Sequence, residues 1–246
     1  MSNSSLVNYT KISPNKTSPR NHAIDTITIH CMAGDLSVET CGNVFAPSSR
    51  QASSNYGIGS DGRIGMYVEE KDRSWCSSSS SNDHRAVTIE VANDGGEDTG
   101  WHVSDKAYNA LINLVTDICK RNGIKKLLWK GDKSLIGQVD KQNMTVHRWF
   151  AAKACPGDYL YNKHSDIANK VNAKLGATTE EEPVTTSYLV RVTADALNIR
   201  SGPGTSYGIT GCITDKGVYT IVQTSGNWGK LKSGAGWICL DYTTRV

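Results

Sequence analysis

Asp25-Thr26-Ile27-Thr28-Ile29-His30 alternates residue by residue. In a strand, successive side chains point to opposite faces, so Ile27 and Ile29 share one face and Thr28 and His30 the other. The pattern recurs. Val87-Thr88-Ile89-Glu90-Val91 puts Val87, Ile89 and Val91 together, with Thr88 and Glu90 opposite. Thr145-Val146-His147 is a short third copy. Each reads Thr, then Ile or Val, then His or Glu. Isolated Thr-Ile triplets are common in ordinary strands. Three that share one sheet would line a single polar face with two imidazoles and a carboxylate.

The third copy runs into His147-Arg-Trp-Phe-Ala-Ala-Lys153-Ala-Cys155-Pro156-Gly157. Pro156 biases Cys155 toward an extended backbone, which puts Lys153 and Cys155 on one side. Taken alone, this segment reads equally as a buried thiol before a Pro-Gly turn and a surface imidazole. His30 adds a third donor, and two imidazoles with a thiolate suit zinc.

Between and beyond these strands the texture alternates. Ser37–Phe45 begins with an N-cap residue and an early acid and reads as a short helix; Ser53–Gly59 reads as a strand, and Asp61-Gly62 as a turn. The serine run Ser77–Ser81 reads as a surface loop near the Glu90 strand, and His84 as a solvated side chain. Ser104–Asn122 is the clearest helix, with Ala107, Leu111, Leu114, Val115 and Ile118 as its apolar stripe and Gly123 as its stop. A second helix is expected over Gly157–Leu175. Strands alternating with helices imply an α/β domain, a mixed sheet flanked by helices. Residues 1–23 read as a lead-in loop.

Together the Ile-His strand, Asn55-Tyr56-Gly57-Ile58-Gly59 with Asp61-Gly62-Arg63-Ile64, the Thr-Ile-Glu strand and the late His…Lys-x-Cys-Pro-Gly resemble the zinc-dependent N-acetylmuramoyl-L-alanine amidases. That group contains phage lysozyme-like amidases and the peptidoglycan recognition proteins. The resemblance covers roughly Asn8 to Gly176. It implies Zn2+ held by His30, His147 and Cys155. Glu90 would exchange protons with the attacking water and the leaving amine, and Lys153 would stabilise the oxyanion. Tyr56 is a further candidate for orienting water or carbonyl, so Glu90 and Tyr56 both stand as the main helper. The implied reaction is hydrolysis of the bond between N-acetylmuramic acid and L-alanine in bacterial peptidoglycan. The alternative is a wall-recognition protein that binds without cleaving.

Residues 176–187, with three acids and a proline, have no core-forming pattern and read as a linker. From Tyr188 the runs shorten: Leu189–Val192, Leu197–Arg200, Tyr219–Val222, Trp228–Leu231 and Gly236–Ile238. This predicts a small all-β barrel. Ala-Leu-Asn-Ile-Arg-Ser-Gly-Pro-Gly-Thr-Ser-Tyr, followed by Trp-Gly-Lys and Gly-Trp-Ile, resembles a bacterial SH3-type (SH3b) module, which implies wall binding. Tyr188, Tyr207, Trp228, Trp237 and Tyr242 are candidates for its aromatic surface; the alternative is that several fill the small core, and Trp237 is the one expected there. The domains expected are thus 1–175, catalytic, and 188–246, targeting.

The chain has 246 residues, 38% hydrophobic and 21% charged, with a net charge of +3. That charge is too mild to argue for nucleic acid, no apolar run is long enough to span a membrane, and nothing sets an oligomeric state. The N-terminal residues lack the apolar core of a signal peptide, so an enzyme made in the cytoplasm would reach the wall by another route, as a phage endolysin or related autolysin does. Seven cysteines without C-x-x-C spacing read as mostly free thiols. Cys31 is expected on the face opposite His30 as a buried small residue, and Cys119 on the apolar side of its helix.

Overall fold

The computed structural model describes residues 2–176 and 187–246, apart from 206 and 226. The chain divides into two compact units, Met1–Thr179 and Glu180–Val246. The expected linker lies, except for its ends Gly176 and Ser187, outside the described residues.

The first unit runs β1 (Tyr9–Thr10), β2 (Lys16–Thr17), β3 (Thr26–Cys31), α1 (Val38–Phe45), β4 (Tyr56–Ile58), β5 (Ile64–Met66), β6 (Arg73–Ser74), α2 (Ser80–Arg85), β7 (Ala86–Val91), α3 (Asp105–Asn122), β8 (Met144–Val146) and α4 (Gly157–Leu175). Six strands form a mixed sheet in the order β1-β5-β4-β7-β3-β8. The three repeated segments are its neighbours β7, β3 and β8, all parallel, with Thr28 opposite both Thr88 and Thr145 and His30 opposite Glu90. Their alternation therefore acts in concert. Ile27, Ile29, Val87, Ile89 and Val91 meet Leu111, Leu114, Val115 and Ile118 of α3 and Leu160, Ile167 and Val171 of α4 in one apolar core. Each such side chain contributes roughly 1.5–3 kcal/mol when fully buried.

Both long helices follow their sequence signals. The Ser104 hydroxyl accepts from the Ala107 amide, and Gly123 closes α3 at φ 72°. Gly176 ends α4 in the same left-handed conformation, φ 67°. Other expectations change. The lead-in contains β1 and β2, and Ser13 and Asn15 are buried there by hydrogen bonds to the end of α1. The strand expected over Ser53–Gly59 shortens to Tyr56–Ile58. The serine run is not all loop: Ser79 caps α2, which begins at Ser80. His84 is half-buried at the end of that helix, where Nδ1 accepts from the Asn21 amide.

The second unit contains β9 (Tyr188–Val192), β10 (Leu197–Arg200), β11 (Ile209–Ile213), β12 (Val218–Ser225), β13 (Trp228–Leu231), β14 (Trp237–Cys239) and β15 (Thr243–Arg245). They form one antiparallel sheet, β11-β10-β14-β13-β12-β9-β15. Val190, Val192, Leu197, Ile213, Ile221, Leu231 and Ile238 are its buried core. The expectation for Trp237 is corrected. Its neighbour Ile238 takes the inward position, and alternation leaves the indole half-buried outside that core.

Candidate metal centre

His30 is the penultimate residue of β3, on the sheet face turned away from the long helices. His147 follows β8 directly, in a single 3-10 turn, and the two imidazole centroids lie 5.0 Å apart. Cys155 comes back after a short turn, its Sγ 3.4 Å from His30 Nδ1. Ligand atoms of His30, His147 and Cys155 all lie within 4.8 Å of one another. Zinc bonds of about 2.0 Å to nitrogen and 2.3 Å to sulfur, at tetrahedral angles, put nitrogen and sulfur roughly 3.5 Å apart. The His30–Cys155 separation fits that spacing.

The protonation pattern fits as well. Burial, and then His147, push the His30 imidazole down to about 3. Burial also lowers His147, with Lys153 adding to the effect against Asp83. Both rings are thus neutral near pH 7 and can offer a lone pair. The Cys155 thiol is pushed up, first by its hydrogen bond with Cys31 and then by burial. A cation between the three donors reverses that preference, since only the thiolate binds metal.

The serine run supplies what holds the rings. Ser77 Oγ lies 3.3 Å from His30 Nε2, and Ser78 Oγ lies 3.1 Å from His147 Nε2. Ser77 Oγ accepts from Asn82 Nδ2, and the buried Asp83 carboxylate accepts from the Ser77 backbone amide. The same hydroxyl has a second lone pair within reach of His30 Nε2, and the tautomer with its proton on Nε2 leaves Nδ1 as the lone-pair nitrogen facing Cys155. Asn82 in turn bonds Thr28 and Thr145, the threonines of the repeated pattern. Ser78 holds its place at φ 59°, a left-handed conformation that costs a non-glycine residue energy and clusters at functional sites. Sequence reasoning placed this run near the site but missed these two partners. A string of identical serines carries no mark of which hydroxyl meets which ring.

Glu90 lies one strand over from His30. Its Oε2 is buried with no hydrogen-bond partner among the described residues, and Oε1 receives only a long contact, 3.8 Å, from the Cys76 thiol. Burial, followed by the Cys31 charge, pushes its carboxyl up to about 8. His30, Cys76 and Glu90 also cluster within 4.8 Å, so Glu90 adjoins the donor set. Cys31 packs at the edge of the apolar core as a half-buried residue, but its backbone amide donates to Cys155 Sγ at 3.4 Å. Cys119 is fully buried under α3, as expected. Lys153 is exposed in the turn between His147 and Cys155.

Tyr56 is not among these groups. It pairs with Ile89, so it points to the helix-facing side of the sheet, opposite from Glu90. Its hydroxyl donates to the buried Glu70 at 2.6 Å, and Glu70 also receives Arg121 and Asn122 of α3. Tyr56 thereby anchors α3 to the sheet. The tyrosine on Glu90's side is Tyr67. Its ring occupies the space left by Gly57, where an added Cβ would meet it at 2.7 Å, and its hydroxyl donates to the Val38 carbonyl. The glycine quoted above as part of the motif thus serves packing.

The sequence profile of the N-acetylmuramoyl-L-alanine amidase family matches residues 20–158, which include every donor described here. A Bacillus subtilis protein, the candidate N-acetylmuramoyl-L-alanine amidase YrvJ, is 40% identical over 45 residues, 18% of this chain. The chain spans only 9% of that relative's length. Among solved structures, a mutant endolysin from Bacillus subtilis is similar at 16% identity and a TM-score of 0.48, over 68% of this chain and 99% of that one. The amidase LysC from Clostridium intestinale URNW is similar at 17% identity and a TM-score of 0.43, over 70% and 96% of the two chains. These structural likenesses fall below a TM-score of 0.5 and carry no part of the assignment. The family match covers more than half of the chain and includes all three candidate ligands, and on that ground the protein belongs to the N-acetylmuramoyl-L-alanine amidases.

Proposed function

We propose that the protein is a zinc-dependent peptidoglycan hydrolase that cleaves the amide between N-acetylmuramic acid and L-alanine. What supports this most is the convergence of two neutral imidazoles and a thiol beside a buried, unpartnered carboxylate. His30, His147 and Cys155 would hold the zinc, with Ser77 and Ser78 fixing the rings. When bound, zinc lowers the pKa of a bound water to about 7 and polarises the carbonyl. Glu90 is the proton carrier: its free Oε2 takes a proton during attack and returns it to the leaving nitrogen. Burial sets its affinity near neutrality, where a carboxyl can do both. Lys153 brings positive charge to the mouth of the site, where the carbonyl oxygen becomes negative.

Residues 1–175 are the catalytic domain in this reading, and 188–246 an SH3-type module that holds the enzyme on the wall, as in phage endolysins and related autolysins. None of the described helices is long and apolar enough to cross a membrane. The test is digestion of purified walls with the zinc-loaded protein. New L-alanine amino termini without new reducing sugars are expected. Reducing sugars without new amines would mark a glycosidase and overturn the reading, and release of neither would leave a binding protein.

A further inference from the structure

Beside the metal centre a cleft of about 320 Å³ opens, lined by His147 and Ser78 at one end and by Arg73, Trp75 and Ser80 further along. Arg73 and Trp75 are held there by one hydroxyl. Thr17 Oγ1 receives Arg73 Nε at 3.1 Å, Arg73 Nη2 at 2.7 Å and Trp75 Nε1 at 3.0 Å. Ser80 Oγ accepts from Nη1. A guanidinium has five N–H groups. Three are committed, which leaves one on each terminal nitrogen.

All of these partners are neutral. Asp83 also lines the cleft, but its carboxylate is buried and turned to the Cys76 and Ser77 amides, 3.0 and 3.1 Å away. No ion pair among the described residues includes Arg73. A half-buried guanidinium with a free pair of donors and no acid of its own matches a carboxylate, which accepts two parallel N–H bonds. The Trp75 ring, 5.9 Å from the guanidinium carbon, adds a flat apolar wall.

Resting on the amidase reading, we infer that this cleft receives the peptide half of the substrate and that Arg73 binds a free carboxylate of that peptide. The reason is charge. In a muramoyl peptide the carboxyl of the sugar's lactyl arm is used up in the scissile amide, so the glycan half is neutral there. The peptide half keeps free carboxylates. A cationic cleft running from His147 therefore fixes which way the substrate lies. Arg73 is a specificity residue and takes no part in proton transfer.

The experiment compares two soluble muramoyl peptides with the full zinc-loaded chain. They differ only in the free carboxylate nearest L-alanine, left as the acid in one and converted to the primary amide in the other. The wild type is expected to prefer the acid by about 10–100-fold in kcat/KM, carried in KM, as for loss of a charged hydrogen-bonded pair. Arg73→Gln should bring the two substrates to near parity with zinc content unchanged, and Arg73→Lys should keep part of the preference. Equal cleavage of acid and amide by the wild type overturns the inference and leaves the amidase reading standing. So does an acid preference that survives in Arg73→Gln. Cleavage of neither peptide removes the amidase reading, and this inference with it.

Discussion

The two units bury different things. The second closes on seven aliphatic side chains, and among its described residues no polar or charged side chain is buried. The first buries His30, Thr28, Thr88, Thr145, Asn82 and Asp83 around one face of its sheet, while aliphatics with the Tyr56–Glu70 pair and His164 fill the other side. Burying a polar group is costly unless it is hydrogen-bonded, so a fold that does this repeatedly must satisfy each group in turn. The first unit does so in part through Asn55, Ser77 and Asn82, and among its described residues leaves Glu90 Oε2, Arg148 Nε and His164 Nε2 without a partner. The contrast teaches where chemistry resides. One unit offers groups whose charge the interior controls, and the other keeps the polar side chains of its described residues out of its core.

The largest expected effect is at the donors. Cys155→Ser, or treatment with a chelator, should remove the zinc from the first unit and abolish wall cleavage, while an isolated 187–246 fragment sediments with walls as before. Metal analysis beside a wall-turbidity assay checks both; full activity without metal would break the contrast.

Next, Glu90→Gln should lower turnover about 10²–10⁴-fold while zinc stays bound. Normal turnover with normal zinc would take Glu90 out of the mechanism. Ser77→Ala should weaken zinc binding about 10–100-fold, since it frees the His30 ring from the group that orients it. Competition with a fluorescent chelator reads this directly.

The smallest effect is on stability, and it separates the units by pH. His164 is fully buried in α4; Nδ1 meets the Leu160 carbonyl at 2.7 Å and Nε2 has no partner among the described residues. Burial lowers it to about 4. The unfolded chain, with an ordinary histidine near 6.5, binds more protons between these values. The His164 contribution to stability is therefore full above about pH 6.5 and is lost as the pH falls toward 4, by at most about 3 kcal/mol, and in the metal-free protein the buried His30 adds a loss of the same sign. Urea unfolding at pH 7 and pH 5 should show the loss in the first unit and none in the isolated 187–246 fragment. His164→Gln should reduce the pH dependence and leave the share carried by His30 in the metal-free protein; an unchanged slope would take His164 out of it.

Much of this was legible before any coordinates. Period-two alternation in Asp25–His30 and Val87–Val91 fixed which side chains share a face, because strand geometry leaves no other choice. Ser104, Gly123 and the apolar stripe between them fixed α3, since caps and helical periodicity are local properties. The order of His30, Glu90, His147 and Cys155 pointed to one site. The partners of those groups were not legible. Tyr56 looked like a helper because its motif adjoins the site in sequence, yet parallel pairing with Ile89 turns it to Glu70 on the other face. Ser77 and Ser78 are alike in sequence and differ only in the ring each meets. Trp237 and Ile238 both suit a core, and the register of β14 chose the smaller one. The sequence by itself determined the repeated strands β3 and β7, the two long helices and the donor types, because these depend on neighbours along the chain. Only the tertiary structure decided which face met which strand, which hydroxyl held which imidazole and which carboxylate lost its solvent, because those depend on register and burial, which bring together residues far apart in the chain.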